Sequence, residues 1–447
     1  MEGRCSDCNA LRIFGQKFGS YRRFLYLCKR NLSDMMLKNV VYNYWQQILL
    51  LLTLIGVFCF WYFCFPYVLV MRESMQLFLW NSQYFMERVA VPGGLAQYIG
   101  EFLAQYFMNP MSGAAIYAVL FVVEQWLSAQ LLQRAFPTLK NVYRFALSLL
   151  VPLALGRLAM IPEVPLTPTI AVILVMAVMV LMPSNKKLRV ITSCMMIPVM
   201  YWLVGPAAIL LVLCCIRWVP LTATLFAACL LGSSWVTPYP LQRIARGVDY
   251  YWGTERNIGS YEQMECDMLM RLGAWSDMIE KYRYPNSVTV ASAVKVASYE
   301  TGQMDRTELF ASMVVPEELQ APAIFSSNGL HMRVNFESLV AAFMVSDIAM
   351  LMNMPTVAQR SAFEAMEFIP NYNKSGRALK RLVETNLITG NYRVALKYLD
   401  ILEETANYSK WAQEMRPLAE HPERLQQHPF FQKAQESFQK AEDMFFI

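Results

Sequence analysis

The chain has 447 residues, of which 56% are hydrophobic and 16% are charged, and its formal net charge is +5. Residues 1–237 carry 18 Lys/Arg and 8 Asp/Glu, whereas residues 238–447 carry 21 and 26, so the two parts have net charges of +10 and −5. This composition excludes an ordinary soluble protein and predicts a basic membrane portion followed by an acidic soluble portion.

Residues 1–45 form a basic segment in front of the first apolar stretch. Such a cluster is retained on the cytoplasmic side of a membrane, so we predict a cytoplasmic N-terminus and an uncleaved first span. The basic residues of this segment are Arg4, Arg12, Lys17, Arg22, Arg23, Lys29, Arg30 and Lys38. Cys5 and Cys8 form a CxxC motif, but only Cys28 lies near enough to add a ligand. We therefore expect no metal site and no cofactor.

A transmembrane domain is predicted for residues 46–237. Residues 46–70 contain 25 residues without a charge, which exceeds the roughly 20 residues that cross a bilayer. Three further spans are expected at 112–133, 143–161 and 166–183, with basic residues at alternating ends as the positive-inside rule requires.

The number of spans after residue 186 stays open between two alternatives. A long kinked fifth span and a sixth at 220–236 would leave the C-terminal half in the cytoplasm. A break at Gly205-Pro206 would instead give seven spans and place that half outside.

Residues 95–108 are apolar but only 14 residues long, and Gly93-Gly94 and Asn109-Pro110 bound them. They predict a short re-entrant or interfacial helix, since such a helix rises only about 21 Å. Gln97, Glu101 and Gln105 are spaced four residues apart and lie on one face. We expect that polar face to meet water.

Three glutamates are candidate catalytic residues. Ionisable groups at membrane depth are costly and often functional, which singles out Glu124. Glu73 and Glu101 lie in the first predicted outer loop, in a layout that resembles polytopic glycosyltransferases acting on lipid-linked sugars, whose outer loop carries an acidic base. The loop has no Asp and no close acidic pair, and the chain contains no recognisable catalytic motif. An enzyme is therefore not favoured.

Residues 247–447 show amphipathic helical patterns without strand alternation. Four helix-turn-helix patterns have Gly273, Gly302, Asn353 and Gly390 as turn residues, and the last pattern resembles a tetratricopeptide repeat. The spacing scatters around 34 residues, so we predict a degenerate tetratricopeptide-like α-solenoid. The apolar end MFFI leaves two alternatives open: the natural chain continues past Ile447, or this end packs against another surface.

Two stretches carry a family resemblance: PGGLAQYIGEFLAQYFMNPMSGAAIYAVLFVVEQW (92–126) and NMPTVAQRSAFEAME (353–367). Together they resemble an uncharacterised family of multi-spanning membrane proteins from Bacteroidetes, a domain of unknown function with a C-terminal helical domain. The resemblance implies a bacterial inner-membrane location and assigns no catalytic residue.

The predicted fold is all-α, a polytopic membrane helix bundle of six or seven spans followed by the solenoid. We expect a scaffold or adaptor in envelope biogenesis whose helical domain binds protein. The alternative is a glycosyltransferase-like enzyme at the outer leaflet. The expected partners are the lipid bilayer and a protein, and no nucleic acid.

Overall fold

The computed structural model describes residues 45–251, 258–312, 324–326, 329–331, 338–369 and 374–439. The chain divides into two compact units, residues 1–56 and 57–447, and all contacts given below lie within the second unit. The predicted basic segment, its CxxC motif and the end at Ile447 lie outside the described residues.

The apolar part consists of helices joined by short connections. In chain order they are α1 (Trp45–Cys64), α2 (Pro66–Ser74), α3 (Ser82–Val89), α4 (Gly94–Ala104), α5 (Pro110–Ala135), α6 (Asn141–Ser148), α7 (Leu150–Ala159), α8 (Thr167–Leu181), α9 (Lys186–Val204) and α10 (Val219–Val236). A 3₁₀ turn, Gln105–Met108, follows α4, and a long 3₁₀ segment, Gly205–Trp218, joins α9 to α10.

Among the described residues, five helices are long and apolar enough to cross a membrane. They are Trp45–Cys64, Pro110–Ala135, Asn141–Ala159, Lys186–Cys214 and Val219–Val236. Helix α8 is apolar but has only 15 residues. These helices identify a membrane protein.

The first predicted span, residues 46–70, is too long by six residues. Phe65 leaves helical geometry, with φ −135° and ψ 35°, and Pro66 then begins α2. Proline suits the first turn of a new helix because it has no N–H to donate to the preceding turn. From Val68 to Ser74, α2 is buried within the protein, so it does not face lipid.

The membrane helices have two distinguishable ends. At one end, which we call the junction end, Arg72 of α2 donates hydrogen bonds to the hydroxyl of Tyr117 and to the carbonyl oxygens of Ala159 and Ile161. At the far end, Nη1 of Arg134 donates to the carbonyl oxygen of Met182 at 3.1 Å. Helices α5 and α8 therefore run in the same direction.

Among the described residues of the second part, the regular elements are helices and one short antiparallel hairpin, Ile324–Ser326 with Gly329–His331. Successive helices pack against one another, which buries a shared apolar core. Its helices are α11 (Leu241–Arg246), α12 (Tyr261–Arg271), α13 (Trp275–Lys281), α14 (Val288–Glu300), α15 (Arg306–Ser312), α16 (Leu339–Leu351), α17 (Pro355–Phe368), α18 (Gly376–Ile388), α19 (Tyr392–Glu403), α20 (Ser409–Glu420) and α21 (Pro429–Gln439).

The four predicted turn residues all occupy left-handed backbone conformations. Gly273, Gly302 and Gly390 have φ of 66°, 74° and 81°, and Asn353 has φ of 59°. Glycine, and asparagine among the other residues, adopt this conformation at helix ends with least strain. The four helix-turn-helix predictions are confirmed as helical pairs.

A charge network links three helices inside this domain. Arg377 of α18 donates to both carboxyl oxygens of Asp267, at 2.8 and 2.6 Å, and to Asp347 at 2.5 Å. Arg381 donates to the other oxygen of Asp347 at 2.6 Å. Burial would raise the pKa of Asp347, but Arg377 and Arg381 hold it well below its usual value.

Replacing Asp347 with asparagine should lower the free energy of unfolding by about 1.5–3 kcal/mol at neutral pH, because two charge-assisted hydrogen bonds are weakened. A carboxylate with a lowered folded-state pKa stabilises the fold fully above its unfolded value of about 4, and this contribution is lost below it. The difference in melting temperature between wild type and Asp347→Asn should therefore stay constant down to about pH 4 and narrow at lower pH. Asp277→Asn, at an exposed site of α13, is the control. If the difference in melting temperature between wild type and Asp347→Asn stays the same below pH 4, the stabilising ion pairs assigned to Asp347 are contradicted.

Candidate functional site

Glu73 connects the membrane helices to the second part of the chain. It is buried near the end of α2, where Oε1 accepts a hydrogen bond of 2.8 Å from the Tyr408 hydroxyl. Nη2 of Arg271 lies 3.5 Å from Oε2, and Nη1 of Arg271 donates to the Ser74 hydroxyl at 3.0 Å. One carboxylate thus contacts two distant segments of the second part, α12 through Arg271 and the turn before α20 through Tyr408.

The protonation state of Tyr408 suits a hydrogen bond to the Glu73 carboxylate. Burial, and then the negative charge of Glu73, raise the pKa of Tyr408 well above its usual value. Tyr408 therefore keeps its proton and acts as a donor. Glu73 is an ion-paired acceptor in this arrangement.

Glu101 lies on α4 at the same end of the molecule, and both of its carboxyl oxygens accept hydrogen bonds. Its Oε2 accepts from the Tyr84 hydroxyl at 2.6 Å and from Nε of Arg88 at 2.8 Å, and its Oε1 accepts from Gln97 at 3.0 Å. Burial would lower the pKa of Arg88, but the Glu101 carboxylate raises it above its usual value, so Arg88 remains charged. In addition, Gln76 donates to the Glu101 backbone oxygen at 3.1 Å.

The polar face of α4 points into the protein, so the prediction that it meets water is wrong. Glu101 is 2% exposed, and Gln97 and Gln105 are 6% exposed, whereas Tyr106 in the adjoining 3₁₀ turn is 39% exposed. The reason is that Arg88 and Tyr84 of α3 supply partners that replace water around the carboxylate. The apolar residues Leu95, Ile99, Phe102 and Leu103 are half-buried.

The two glycines before α4 permit a close contact with α9. Gly93 has φ 93° and donates its N–H to the carbonyl oxygen of Trp202 at 2.9 Å. A Cβ on Gly94 would lie 1.8 Å from the Arg88 carbonyl oxygen, which is sterically forbidden. The Pro-Gly-Gly break therefore holds α4 against both α3 and α9.

Glu124, the third candidate, lies apart from the other two in the middle of α5. It is buried, and its Oε1 has no hydrogen-bond partner among the described residues. The structure thus brings Glu73 and Glu101 to the junction end with separate partners, and it leaves Glu124 inside the helix bundle.

Further hydrogen bonds at the junction come from the turn between α19 and α20. The Trp80 N–H donates to the Glu404 carbonyl oxygen at 2.9 Å, and Asn81 Nδ2 donates to Glu404 Oε2 at 2.5 Å. The Asn407 side chain donates to the Gln105 carbonyl oxygen. Sequence reasoning missed these residues because their partners lie about 300 positions away, and no local pattern marks them.

The cavity at this junction is small. Its volume is about 20 Å³, and its lining includes Glu73, Gln76, Gln105, Asn407 and Tyr408. A cavity of this size holds about one water molecule, so it cannot admit a sugar or a peptide. In the part of the chain that the structure describes, no group of three or more His, Cys, Asp or Glu side chains could hold a metal ion.

The apolar helices and the junction define a multi-helix membrane protein with an attached helical domain. The chain matches the model of a family of unknown function (DUF6057) over residues 41–255 and 218–447, and it belongs to that family. No curated protein and no solved structure matches the chain. The predicted membership of a family of unknown function is confirmed. The origin of that family in Bacteroidetes stays a prediction.

Proposed function

We propose that the chain is a scaffold or adaptor of the bacterial inner membrane that acts in envelope biogenesis. Its tetratricopeptide-like domain would bind a protein partner while the membrane helices fix its position. The observation that supports this proposal is the bonding of Tyr408 and Arg271 to Glu73. Because these contacts tie the domain to the membrane helices, a force on a bound partner would be transmitted to the bilayer-embedded part.

Seven spans fit this proposal better than six. Gly205, with φ 72° and ψ −143°, ends α9 and begins the 14-residue 3₁₀ segment. At about 2.0 Å per residue, this segment is about 28 Å long, close to the hydrocarbon thickness of about 30 Å. The hydroxyls of Tyr201, near the end of α9, and Ser233, near the end of α10, lie 2.7 Å apart. Both helices thus end on one side, and the segment between them crosses in the opposite direction.

The charges favour an outer location for the junction end. The far ends of α5 to α9 and their connections carry only basic charges, namely Arg134, Lys140, Arg144, Lys186, Lys187 and Arg189. The sequence has no acidic residue between Glu124 and Glu163 or between Glu163 and Asp249. The positive-inside rule then assigns the far end to the cytoplasm and the helical domain to the outer side.

The alternative is a glycosyltransferase-like enzyme with a carboxylate base at the outer leaflet. A general base needs an oxygen atom within reach of the proton it removes. Glu101 uses both oxygens for Tyr84, Arg88 and Gln97, and Glu73 faces Tyr408 and Arg271 in a cavity with room for one water. This geometry favours the scaffold.

Reporter fusions after Ile447 test the proposed side of the helical domain. Seven spans with a cytoplasmic N-terminus predict that an alkaline phosphatase fusion is active, because that enzyme matures only outside the cytoplasm. They also predict that a fusion to green fluorescent protein does not fluoresce. A fusion after Pro137, in a connection at the far end, is the control and should show the reverse pattern. A fluorescent fusion after Ile447 would contradict the seven-span topology.

Neutralising Arg88 and Glu101 together separates a structural role from catalysis. Each single variant, Arg88→Gln or Glu101→Gln, leaves one buried charge without its partner and should cost about 3–5 kcal/mol, seen as a lower protein level. The double variant removes both charges and should regain most of that level. Under the scaffold proposal it also complements a gene deletion. Normal levels without complementation would contradict the proposal and support a catalytic Glu101.

A further inference from the structure

Three polar side chains lie together inside the spanning helix α5. Glu124, Gln125 and Ser128 are 2%, 0% and 5% exposed. At 1.5 Å per residue, Glu124 lies about 21 Å from Pro110 and about 16 Å from Ala135 along the helix, so it lies deep in the hydrocarbon layer when α5 crosses the membrane.

Four polar atoms of these side chains lack a hydrogen-bond partner in the described part of the chain. They are Oε1 of Glu124, Oε1 and Nε2 of Gln125, and Oγ of Ser128. Each unpaired buried polar atom costs about 1–3 kcal/mol, and lipid offers no compensation. A stable fold is not expected to retain four such atoms on one helical turn unless something else binds them.

The hydroxyl of Ser128 differs from other buried hydroxyls in the apolar helices. Ser148 donates to the carbonyl oxygen of Phe145 at 2.7 Å, and Ser233 donates to that of Leu230 at 2.8 Å. Such a bond to the preceding helical turn is the usual way for a serine to satisfy its hydroxyl in an apolar helix. Ser128 does not form one, so its oxygen remains available to a ligand.

Helix geometry places the three side chains on one sector of α5. Glu124 and Ser128 are four residues apart, and Gln125 and Ser128 are three apart, so Ser128 lies between the other two on the helix surface. The site therefore offers a carboxylate, an amide carbonyl and a hydroxyl. Oxygen atoms of these kinds bind protons and hard metal cations.

The charge of the site is not balanced by a protein cation. Among the described residues, Glu124 forms no ion pair or hydrogen bond with a basic side chain. Arg72 is bonded to Tyr117 and to carbonyl oxygens, and Arg144 to Asn141 and Leu139. The titratable or charged side chains on elements packed against α5 are Cys59, Tyr62 and Cys64 (α1), Tyr67, Arg72 and Glu73 (α2), Tyr106 (3₁₀ turn), Tyr143 and Arg144 (α6) and Arg157 (α7), and α8 has none. One unpaired carboxylate in a low-dielectric medium requires one positive charge.

We propose that Glu124, Gln125 and Ser128 form an intramembrane site for a single monovalent cation, a proton or a sodium ion, bound through their oxygen atoms. The cation neutralises Glu124 and is bound by the oxygen atoms of the three side chains that the protein leaves without a partner. The proposal does not depend on the scaffold function.

The melting temperature of the purified full-length chain in detergent tests the site. Wild type and the isosteric variant Glu124→Gln are compared over a pH series, in choline chloride and in sodium chloride. For a proton site, the melting temperature of wild type falls relative to Glu124→Gln by on the order of 5 °C as pH rises, because an ionised carboxylate is then buried without a partner. For a sodium site, sodium chloride raises the melting temperature of wild type alone.

Glu280→Gln, at an exposed position of α13, is the control and should follow wild type in every condition. If Glu124→Gln does not fold, Ser128→Ala replaces it, and a reduced response to pH or sodium is expected because one ligand atom is lost. The proposal is overturned if the difference between wild type and variant stays constant across all pH values and both salts.

Discussion

The buried carboxylate of Glu73 is the contact on which the joining of the two parts depends. An ionised group can leave water only if other groups take the place of its hydration, and here those groups are Tyr408 and Arg271. Both lie in the second part of the chain, at least about 200 residues away from α2. Neither part alone satisfies Glu73, so the membrane helices and the helical domain stabilise each other.

The same principle explains why α4 has its polar face inside. In water, Gln97, Glu101 and Gln105 would be expected on the surface of such a helix. At a membrane boundary the polar face of a helix can instead be buried when neighbouring helices supply hydrogen-bond donors, as α3 does through Tyr84 and Arg88. The polar residues of α4 then hold the junction together, and the apolar residues of this helix are half-buried. Glu101 and Glu73 both accept hydrogen bonds from neighbouring side chains, which is the reason that a scaffold is proposed in preference to an enzyme.

Sequence patterns were sufficient for local structure and insufficient for contacts between distant segments. The helical pairs could be predicted because Gly390 and Asn353 mark left-handed turns that few other residues tolerate. The end of α1 at Cys64, just before Phe65, could not be predicted. An uninterrupted apolar run does not show which of its residues contact lipid and which are buried in the protein. Periodicity likewise identified the polar stripe of α4 but not its surroundings. Tyr408 and Arg271 carried no local signal, since their role arises only from tertiary contact.

The central claim is that the helical domain is held against α3 and α4 in the membrane-bound protein. Cysteines introduced by Asn81→Cys and Glu404→Cys, at two side chains that form a hydrogen bond, test it directly with a short bifunctional thiol cross-linker in membranes. The account predicts an intramolecular cross-linked peptide joining positions 81 and 404, detected by mass spectrometry, and its loss when Glu404→Cys is replaced by Tyr284→Cys at a separate exposed site. Equal cross-linking of both pairs, or none in the first, would contradict it.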